Sequence, residues 1–361
     1  MPPTKSLDSE KDNSKATSAP LDFFNRALET FNLADNTSIE SSKLYYAIAD
    51  YKIQFNFANK AVIPFQIPAF SHLQTDKFDD PDLTIHFFDS ASTGVQMPPP
   101  PWTGYDYLTR GEIRGFNTDQ INTSFHRGSG VLSVLNKISN QAVWWIKDVQ
   151  DLPSWESGSP LLFLLFWWMS INDRQFLHAG AVGNTTKGIL LAGAGGSGKS
   201  TTALTCLNSD LKYVSDDYCL INSQGRQFIH SIYSSAKIHK KDFNKLPHIT
   251  KTLENSARHP DEKPLFFLNP TFKNIVRGFP LKYIFVPHIT NQPDTSIVQT
   301  SPMHALKALA PSTIFQLSRA GKPSFDKISK IVKQIPCYQL NLGNELSQIS
   351  EVISEFLVKV E

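Results

Sequence analysis

The stretch from Gly193 to Asp217 holds the residue types and spacings with the clearest chemical meaning. Residues 193–200 read G-A-G-G-S-G-K-S and satisfy the Walker A pattern G-x-x-x-x-G-K-[ST], in which backbone N–H groups surround a phosphate. We expect Lys199 to bridge the β and γ phosphates and the Ser200 hydroxyl to bind Mg²⁺. The helix that follows would add the positive end of its dipole. The predicted nucleotide-binding residues are Gly193, Ala194, Gly195, Gly196, Ser197, Gly198, Lys199, Ser200 and Thr201.

A glycine-rich loop without a ligand is the alternative. The loop follows an apolar strand pattern, Lys187 to Ala192, and opens a stretch without glycine or proline, STTALTCLN. This context favours a nucleotide site. An N-K-x-D guanine motif does not follow, so ATP is the predicted nucleotide.

Two adjacent acidic residues form the second chemical feature. Asp216 and Asp217 follow the apolar run Tyr213–Ser215, at the carboxyl end of a predicted strand, where α/β sheets bind ligands. One carboxylate there can accept a proton from an attacking hydroxyl, and the other can hold Mg²⁺. Neighbouring strand residues point to opposite faces, so both serve one site only if the strand has ended. The alternative is that both merely cap a turn.

His178 lies in the apolar run Phe176–Val182, and such a histidine is ordinarily a satisfied core residue. It precedes Lys199 by 21 positions, and Asp216 follows Lys199 by 17, which are the spacings of the family that this segment resembles. From Phe176 to Ile221 the chain resembles the HPr kinase/phosphorylase family, P-loop protein kinases related in fold to phosphoenolpyruvate carboxykinases. The resemblance implies that Asp216 is the general base toward a serine hydroxyl, that His178 is hydrogen-bonded to it, and that Asp217 supports the metal or the loop.

Two family features are absent. The Glu-x-Arg-Gly stretch with a metal-binding glutamate is replaced by HSIYSSAKIHKK, residues 230–241, and the basic C-terminal helix is missing. The chain is therefore more similar to divergent relatives, including serine kinases associated with lasso-peptide biosynthesis. In such relatives a segment like SIYSSAKI, a Glu-Lys such as Glu262-Lys263 and an Arg-Gly such as Arg277-Gly278 recur. Glu254 and Glu262 are candidates for the missing metal carboxylate.

A basic segment follows the replaced signature. Lys237 would neutralise transferring phosphoryl oxygens, although a solvated lysine is an equal alternative. The segment would attract an anionic substrate or a peptide C-terminus, or it forms a solvated surface. Its members are Lys237, His239, Lys240, Lys241, Lys245, His248 and Lys251.

The elements that must position these residues change character near Leu152. Residues 1–20 are polar and predict a disordered tail, and a helix is predicted from Leu21 to Phe31. Residues 21–150 predict a β-rich module, whereas residues 151–361 alternate strands and helices, as an α/β catalytic domain does. The predicted fold is α/β, a P-loop kinase core of the HPr kinase/phosphoenolpyruvate carboxykinase type with a β-rich N-terminal module. The predicted elements are strands at 44–57, 83–88, 131–134, 142–146, 176–182, 187–192, 211–221, 264–268, 283–287 and 338–342, and helices at 160–171, 200–208 and 344–360.

Composition restricts the function classes. The 361 residues carry 35 basic and 33 acidic side chains, so the net charge of +2 predicts neither nucleic-acid nor membrane partners. The longest apolar run, Pro160–Ile171, is too short for a bilayer span and predicts a buried helix. Cys206, Cys219 and Cys337 are too scattered for disulfides or zinc, and the first twenty residues lack a secretory signal. A cytoplasmic protein is expected, and a homo-oligomer is compatible with the sequence.

The sequence therefore predicts an ATP- and Mg²⁺-dependent serine kinase. Its catalytic residues would be Asp216, His178, Lys199 and Lys237, and its metal ligands Ser200 and Asp217. The acceptor would be a peptide or small protein, such as a lasso precursor with a C-terminal serine. Two alternatives remain open: a small-molecule alcohol kinase, and a nucleotide-binding regulator without catalysis.

Overall fold

The computed structural model describes residues 8–317 and 320–360 of the chain. Contacts between residues divide the chain into two compact units. The N-terminal unit contains the residues up to Tyr46, then Tyr51–Phe65 and Asp76–Leu152, and the C-terminal unit contains Ala47–Asp50, Gln66–Thr75 and the residues from Pro153 onward.

The N-terminal unit consists of a long helix and a six-stranded sheet of order β1-β2-β3-β6-β5-β4. Strands β2, β3 and β6 are parallel, while β6, β5 and β4 are antiparallel. The elements in this part of the chain are α1 Asp8–Thr37, β1 Ser42–Ile48, β2 Tyr51–Phe57, α2 Ile63–Gln66, β3 Leu83–Asp89, α3 Ser90–Thr93, β4 Ile121–His126, β5 Val131–Asn136 and β6 Gln141–Ile146.

The disordered tail predicted over residues 1–20 is corrected by helix α1 where the tail is described, over residues 8–20. Its buried face carries Phe23, Ala27, Phe31 and Ala34, a helical spacing that packs into the core of the N-terminal unit. Once this packed part is formed, each residue added to a helix needs little extra free energy. The helix therefore extends back to Asp8, while residues 1–7 lie outside the described part.

The predicted strand 44–57 is two strands, β1 and β2. Ala49 and Asp50 between them have φ values of 50° and 72°. Two successive left-handed residues form the tight turn that reverses a strand into a hairpin. The sequence Ala-Asp is a weak signal for such a turn, which explains why the break was missed.

The C-terminal unit is built on a nine-stranded sheet. Its continuous path runs β10-β8-β9-β15-β12-β11-β7, and β17 pairs with β15 and with β16. The strands are β7 Arg174–His178, β8 Gly180–Gly183, β9 Gly188–Leu191, β10 Lys212–Ser215, β11 Tyr218–Asn222, β12 Phe228–Ser231, β13 Ser235–Lys237, β14 Leu265–Phe267, β15 Gly278–Ile289, β16 Ser296–Gln299 and β17 Cys337–Leu342, with β13 and β14 pairing separately. The helices are α4 Ser154–Gly158, α5 Leu162–Ile171, α6 Lys199–Thr205, α7 Pro247–Thr250, α8 Pro302–Gln316, α9 Gly321–Gln334 and α10 Ser347–Lys359.

Three parallel strands, β9, β15 and β17, form the centre of this sheet. Their register places Leu191 beside Phe285, and Ile289 beside Leu342. Their carboxyl ends therefore lie along one edge, where open α/β sheets bind ligands.

Helices cover both faces of these strands. Side chains from α6 and α10 pack with Ile189 and Leu191 on one face. Side chains from α8 and α9 pack with Leu190 on the other. Consecutive residues of β9 thus point into opposite cores, and this double burial explains its uninterrupted apolar sequence.

The mixed α/β character of the sequence prediction is confirmed, with several sheets rather than one. Two further predicted strands are each divided: 176–182 into β7 and β8, and 211–221 into β10 and β11, which break at Asp216-Asp217. Helices α8 and α9 were not predicted, because prolines at 302, 311 and 323 obscured them.

The apolar run 160–171 forms α5, in which six residues are buried. Over the described residues, every helix is too short or too polar to cross a bilayer.

Candidate functional site

The glycine loop, residues 193–198, connects β9 to α6. Gly196 and Gly198 have φ values of 81° and 101°, in the left-handed region that side chains avoid. A Cβ on Gly198 would collide with the Leu342 side chain at the end of β17, and one on Gly193 would collide with the Ser197 hydroxyl. The loop conformation therefore requires glycine at positions 196 and 198, and a side chain at 193 would displace that of Ser197.

Lys199 is folded back into the loop. Its Nζ donates to the Gly193 carbonyl at 2.7 Å and to the Ala194 carbonyl at 3.2 Å, and the residue is only 6% exposed. Burial lowers the pKa of Lys199, while the nearby charges of Asp217 and Asp216 oppose that shift. An ammonium held by two carbonyls in a buried site is prepared for a stronger anionic partner.

The two aspartates occupy a turn between β10 and β11. The Ser215 hydroxyl donates to the Tyr218 carbonyl at 2.6 Å and accepts from the Asp217 N–H at 3.1 Å. The strand has thus ended before the acidic pair, which is the condition for both carboxylates to lie near one site.

Asp216 is enclosed in protein. It is 3% exposed, and its Oδ1 accepts from the Tyr213 hydroxyl at 3.0 Å. Burial, followed by the charge of Asp217, raises the pKa of Asp216 to about 7, and hydrogen bonds from Tyr213 and Ser200 act against the rise. The Ser200 hydroxyl also lies 3.5 Å from the Asp216 backbone carbonyl. Asp216 is therefore a carboxylate behind Ser200.

Asp217 has the opposite environment. His178 Nε2 donates to its Oδ1 at 2.8 Å, and the Asp217 side chain is 38% exposed. Burial alone would raise the pKa of Asp217, but the hydrogen bond and charge of His178, with the charges of Lys237 and Lys263, hold it below its usual range. Asp217 is an ionised carboxylate with access to solvent.

The partner of His178 differs from the expectation that it bonds to Asp216. Antiparallel pairing of β7 with β11 places His178 directly opposite Tyr218, so the preceding residue, Asp217, meets the imidazole. The backbone N–H of His178 donates to the Thr313 hydroxyl at 3.1 Å, and α8 thereby fixes the end of β7. The correction follows from strand register, which spacing along the chain does not determine.

Most of the predicted site residues line one cavity of about 520 Å³. The predicted residues among its lining are His178, Gly195, Gly196, Gly198, Lys199, Ser200, Thr201, Asp217 and Lys237. The predicted residues that do not line it are Gly193, Ala194, Ser197 and Asp216. The cavity thus brings the glycine loop, Lys199 and the Asp217–His178 pair to one space.

The remaining wall of this cavity contains further lysines, together with Asp242, which pairs with Lys245 at 2.7 Å. Lys237 Nζ donates to the Trp155 carbonyl at 3.2 Å and lies 3.4 Å from the Ser159 hydroxyl. Lys241, Lys245 and Lys263 also line the space. Lys241 and Lys245 belong to the basic segment, while Lys263 was indicated by the family resemblance alone.

Two other positions carried over from the resemblance lie elsewhere. Glu262 accepts from the Ser154 N–H at 2.8 Å and the Arg258 N–H at 3.1 Å, so it serves as a local cap at α4. Arg277 donates to the Gln74 carbonyl at 3.1 Å. Neither residue lines the cavity, and neither does the exposed Glu254.

The residues fit a nucleotide with a magnesium ion. Gly195 and Gly196 have open space where a Cβ would be, and the buried Ser197 hydroxyl has no partner among the described residues. The described residues contain no group of three His, Cys, Asp or Glu side chains that would hold a metal alone. Mg²⁺ commonly takes one or two protein ligands and completes its shell with phosphate and water. Ser200 and a carboxylate of the acidic pair suffice for that arrangement.

Among solved structures, the chain is similar to the HPr(Ser) kinase/phosphatase from Coxiella burnetii. The TM-score is 0.29 and the sequence identity 11%, over 51% of this chain and 97% of that chain. No protein-family model matches the chain, and no curated protein matches it. A likeness at this TM-score carries no argument about activity, so function must be inferred from the residues themselves.

Proposed function

We propose that this chain is a kinase that transfers the terminal phosphoryl group of ATP to an alcohol hydroxyl, with Mg²⁺. The observation that supports this most is the shared cavity. A glycine loop and a buried lysine suited to phosphates lie in the same space as an ionised, oriented carboxylate suited to a hydroxyl. Phosphoryl transfer needs these two capacities close together, because catalysis depends on positioning and charge stabilisation.

The contacts of the two aspartates support different roles for them. Asp217 faces the cavity, is kept ionised and is oriented by His178, so it would accept the proton of the attacking hydroxyl. Asp216 lies behind Ser200 and would support the magnesium site. This exchanges the roles that the family resemblance implies. The position of Asp217 at the cavity supports this exchange, since a base must reach the proton it removes.

Lys199 and Lys237 would stabilise the phosphoryl group from different elements. Lys199 would release the Gly193 and Ala194 carbonyls and bind phosphate oxygens, which carry full negative charge. Lys237, at the end of β13, faces the same space beside Asp217. Charge then develops between two fixed cations.

The acceptor in this proposal is a serine of a peptide or small protein. The lysines of the cavity wall favour an acceptor with an anionic group near its hydroxyl. A C-terminal serine, as in a lasso precursor, has its carboxylate next to the hydroxyl and satisfies that condition. A small anionic alcohol satisfies it as well and is the second candidate.

Transfer from γ-labelled ATP to serine peptides and small alcohols tests the proposal. The parent protein should transfer label only with Mg²⁺. Asp217→Asn should abolish transfer and leave nucleotide affinity intact, whereas Asp216→Asn should weaken the Mg²⁺-dependent part of nucleotide binding. If Asp216→Asn abolished transfer and Asp217→Asn weakened the Mg²⁺-dependent part of binding, Asp216 would be the base instead. Tight ATP binding without transfer to any alcohol would instead support a regulatory nucleotide-binding protein.

A further inference from the structure

A cavity of about 470 Å³ in the N-terminal unit is lined by cationic side chains. Arg110, Arg127 and His126 line it, together with Tyr107 and Leu108, and none of the described residues in its wall is acidic. We call this cavity the arginine pocket. Cations that no acidic side chain of the wall opposes attract anions, so the arginine pocket is suited to an anionic ligand.

The Arg127 guanidinium is oriented by two contacts. Its Cζ lies 4.0 Å from the centre of the Tyr107 ring, and its Nη2 donates to the Gly104 carbonyl at 3.1 Å. The Tyr107 ring is itself fixed, because its hydroxyl accepts from the Trp102 indole N–H at 3.1 Å and the ring meets the Phe125 ring edge to face. A guanidinium has five N–H donors, so most of them stay available after one bond. Arg127 is therefore held in place before a ligand binds.

A turn fixed against β4 brings Arg110 to the same pocket. The Gly111 N–H donates to the Leu108 carbonyl at 3.1 Å, and the Phe125 N–H donates to the Gly111 carbonyl at 2.7 Å. Gly111 has a φ of 82°, and a Cβ there would lie 2.6 Å from the Phe125 carbonyl oxygen, so only glycine allows this approach. The Arg110 guanidinium is half-buried and makes no hydrogen bond or ion pair with another described residue. It is therefore available to an anion in the pocket.

Two guanidinium groups at one pocket fit a phosphate monoester better than a carboxylate. One guanidinium fork satisfies both oxygens of a carboxylate. A phosphorylated serine has three terminal oxygens and close to two negative charges at neutral pH, so it can engage two forks. Proteins commonly recognise phosphorylated residues with clusters of arginines.

The size of the arginine pocket indicates that more than the phosphoryl group enters it. Its volume lies within the range of about 300–1,000 Å³ that is typical of sites for whole small molecules. Its wall includes the exposed side chain of Leu108, which offers an apolar contact to residues that flank a phosphorylated serine. A phosphorylated peptide therefore fits this pocket better than a free phosphate ion.

We propose that the arginine pocket binds a phosphoserine of a peptide through the guanidinium groups of Arg110 and Arg127. The choice of phosphoserine rests on the proposed kinase function, because transfer to a serine produces this group. The N-terminal unit thereby distinguishes a phosphorylated peptide from the unphosphorylated one.

Binding of three fluorescent peptides to the full chain, measured by anisotropy without nucleotide, tests the proposal. The peptides differ only at one central position, which is phosphoserine, serine or glutamate. The phosphoserine peptide should bind at least about tenfold more tightly than the other two, because one charge-assisted contact corresponds to roughly that factor. Equal affinity for the phosphoserine peptide and for either of the others would refute the proposal. Displacement of the phosphoserine peptide by an equal concentration of inorganic phosphate would assign the pocket to free phosphate and refute the peptide.

Arg110→Gln and Arg127→Gln should each weaken binding of the phosphoserine peptide about ten- to a hundredfold. Arg127→Lys should weaken it as well, because lysine keeps the charge but lacks the fork. Arg114→Gln is the matched control, since Arg114 is an exposed residue of the same loop that does not line the pocket. The control should change the affinity less than about twofold, because solvent and salt screen an exposed charge at a distance. An equal loss in Arg114→Gln and Arg110→Gln would refute the pocket.

Two further measurements separate the arginine pocket from the catalytic cavity. Lys199→Met should leave the affinity for the phosphoserine peptide unchanged, and a loss as large as in Arg127→Gln would place the peptide at the glycine loop instead. The peptide already carries its phosphate, so its binding does not depend on catalysis. Transfer of label from ATP without preference for the phosphoserine peptide would refute the pocket and leave the kinase proposal standing. Preference that depends on Arg110 and Arg127, without any transfer, would support the pocket and refute the kinase. Thermal unfolding verifies that each variant is folded.

Discussion

Replacing Asp216 with asparagine should stabilise the metal-free protein at alkaline pH. Burial, with the charge of Asp217, raises the pKa of Asp216 from 3.8 to about 7. The unfolded chain therefore loses this proton at lower pH than the folded chain, and the free energy of unfolding falls as pH rises between the two values. Asparagine does not titrate, and its amide oxygen can still accept the hydrogen bond from Tyr213.

The magnitude follows from the size of the shift. A shift of about three pH units corresponds to roughly 4 kcal/mol, at about 1.4 kcal/mol per unit. At pH 8 the parent bears nearly all of this penalty, whereas at pH 5 it bears only about 1–2 kcal/mol. The stabilisation by Asp216→Asn should therefore be about 2–3 kcal/mol larger at pH 8 than at pH 5.

Urea unfolding of parent and variant in EDTA, at pH 5 and pH 8, measures this difference. Groups distant from position 216 contribute to both proteins alike, so their contributions cancel in the comparison. Asp261→Asn is the control, because Asp261 is exposed and its carboxylate stays in water. A stability gain that is the same at both pH values would refute a buried carboxyl of raised pKa at position 216.

Three further predictions concern the loop, the histidine and the core. Gly198→Ala should destabilise the protein by about 2 kcal/mol or more in urea unfolding, because of its φ of 101° and the collision with Leu342, whereas Gly195→Ala, with open space around it, should cost less than about 1 kcal/mol. His178→Asn should slow transfer about a hundredfold in the labelled-ATP assay and leave nucleotide affinity unchanged, because the role of His178 is to orient Asp217 rather than to bind phosphate. An equal loss of transfer rate and of nucleotide affinity would contradict that role. Ile353→Ala should lower stability by about 2–5 kcal/mol, because it removes a fully buried side chain of α10 from the core beneath the loop, and an unchanged midpoint would contradict that packing.

The glycine loop could be predicted from the sequence because its signal is local. The backbone turns at Gly196 and Gly198, and the helix that starts at Lys199, depend on consecutive residues. Helix α9 left a comparable signal in the spacing of Ile328, Ile331 and Val332, all buried, which an inspection for helical periodicity would have found.

The partner of His178 could not be predicted in the same way. It depends on the pairing of β7 with β11, two strands separated by the whole loop and α6. A shift of one residue in that pairing changes which of two adjacent carboxylates meets the imidazole. Of the cavity lysines, Lys237, Lys241 and Lys245 belong to the basic segment that the sequence shows, whereas Lys263 has no periodic pattern that would place it there.

The acidic pair shows why the end of β10 matters for the chemistry. Had the strand continued through Asp216 and Asp217, the pleat would have sent the two carboxylates to opposite faces of the sheet. The turn fixed by Ser215 instead leaves the Asp216 carboxylate buried behind Ser200. It places the Asp217 carboxylate at the cavity, in contact with His178. Burial raises the pKa of both carboxyls, but the hydrogen bond from His178 and the nearby cations lower the pKa of Asp217, which separates the two values. Two identical side chains thereby differ in charge: Asp217 stays ionised, as a proton acceptor must, whereas Asp216 without a metal holds its proton to near-neutral pH.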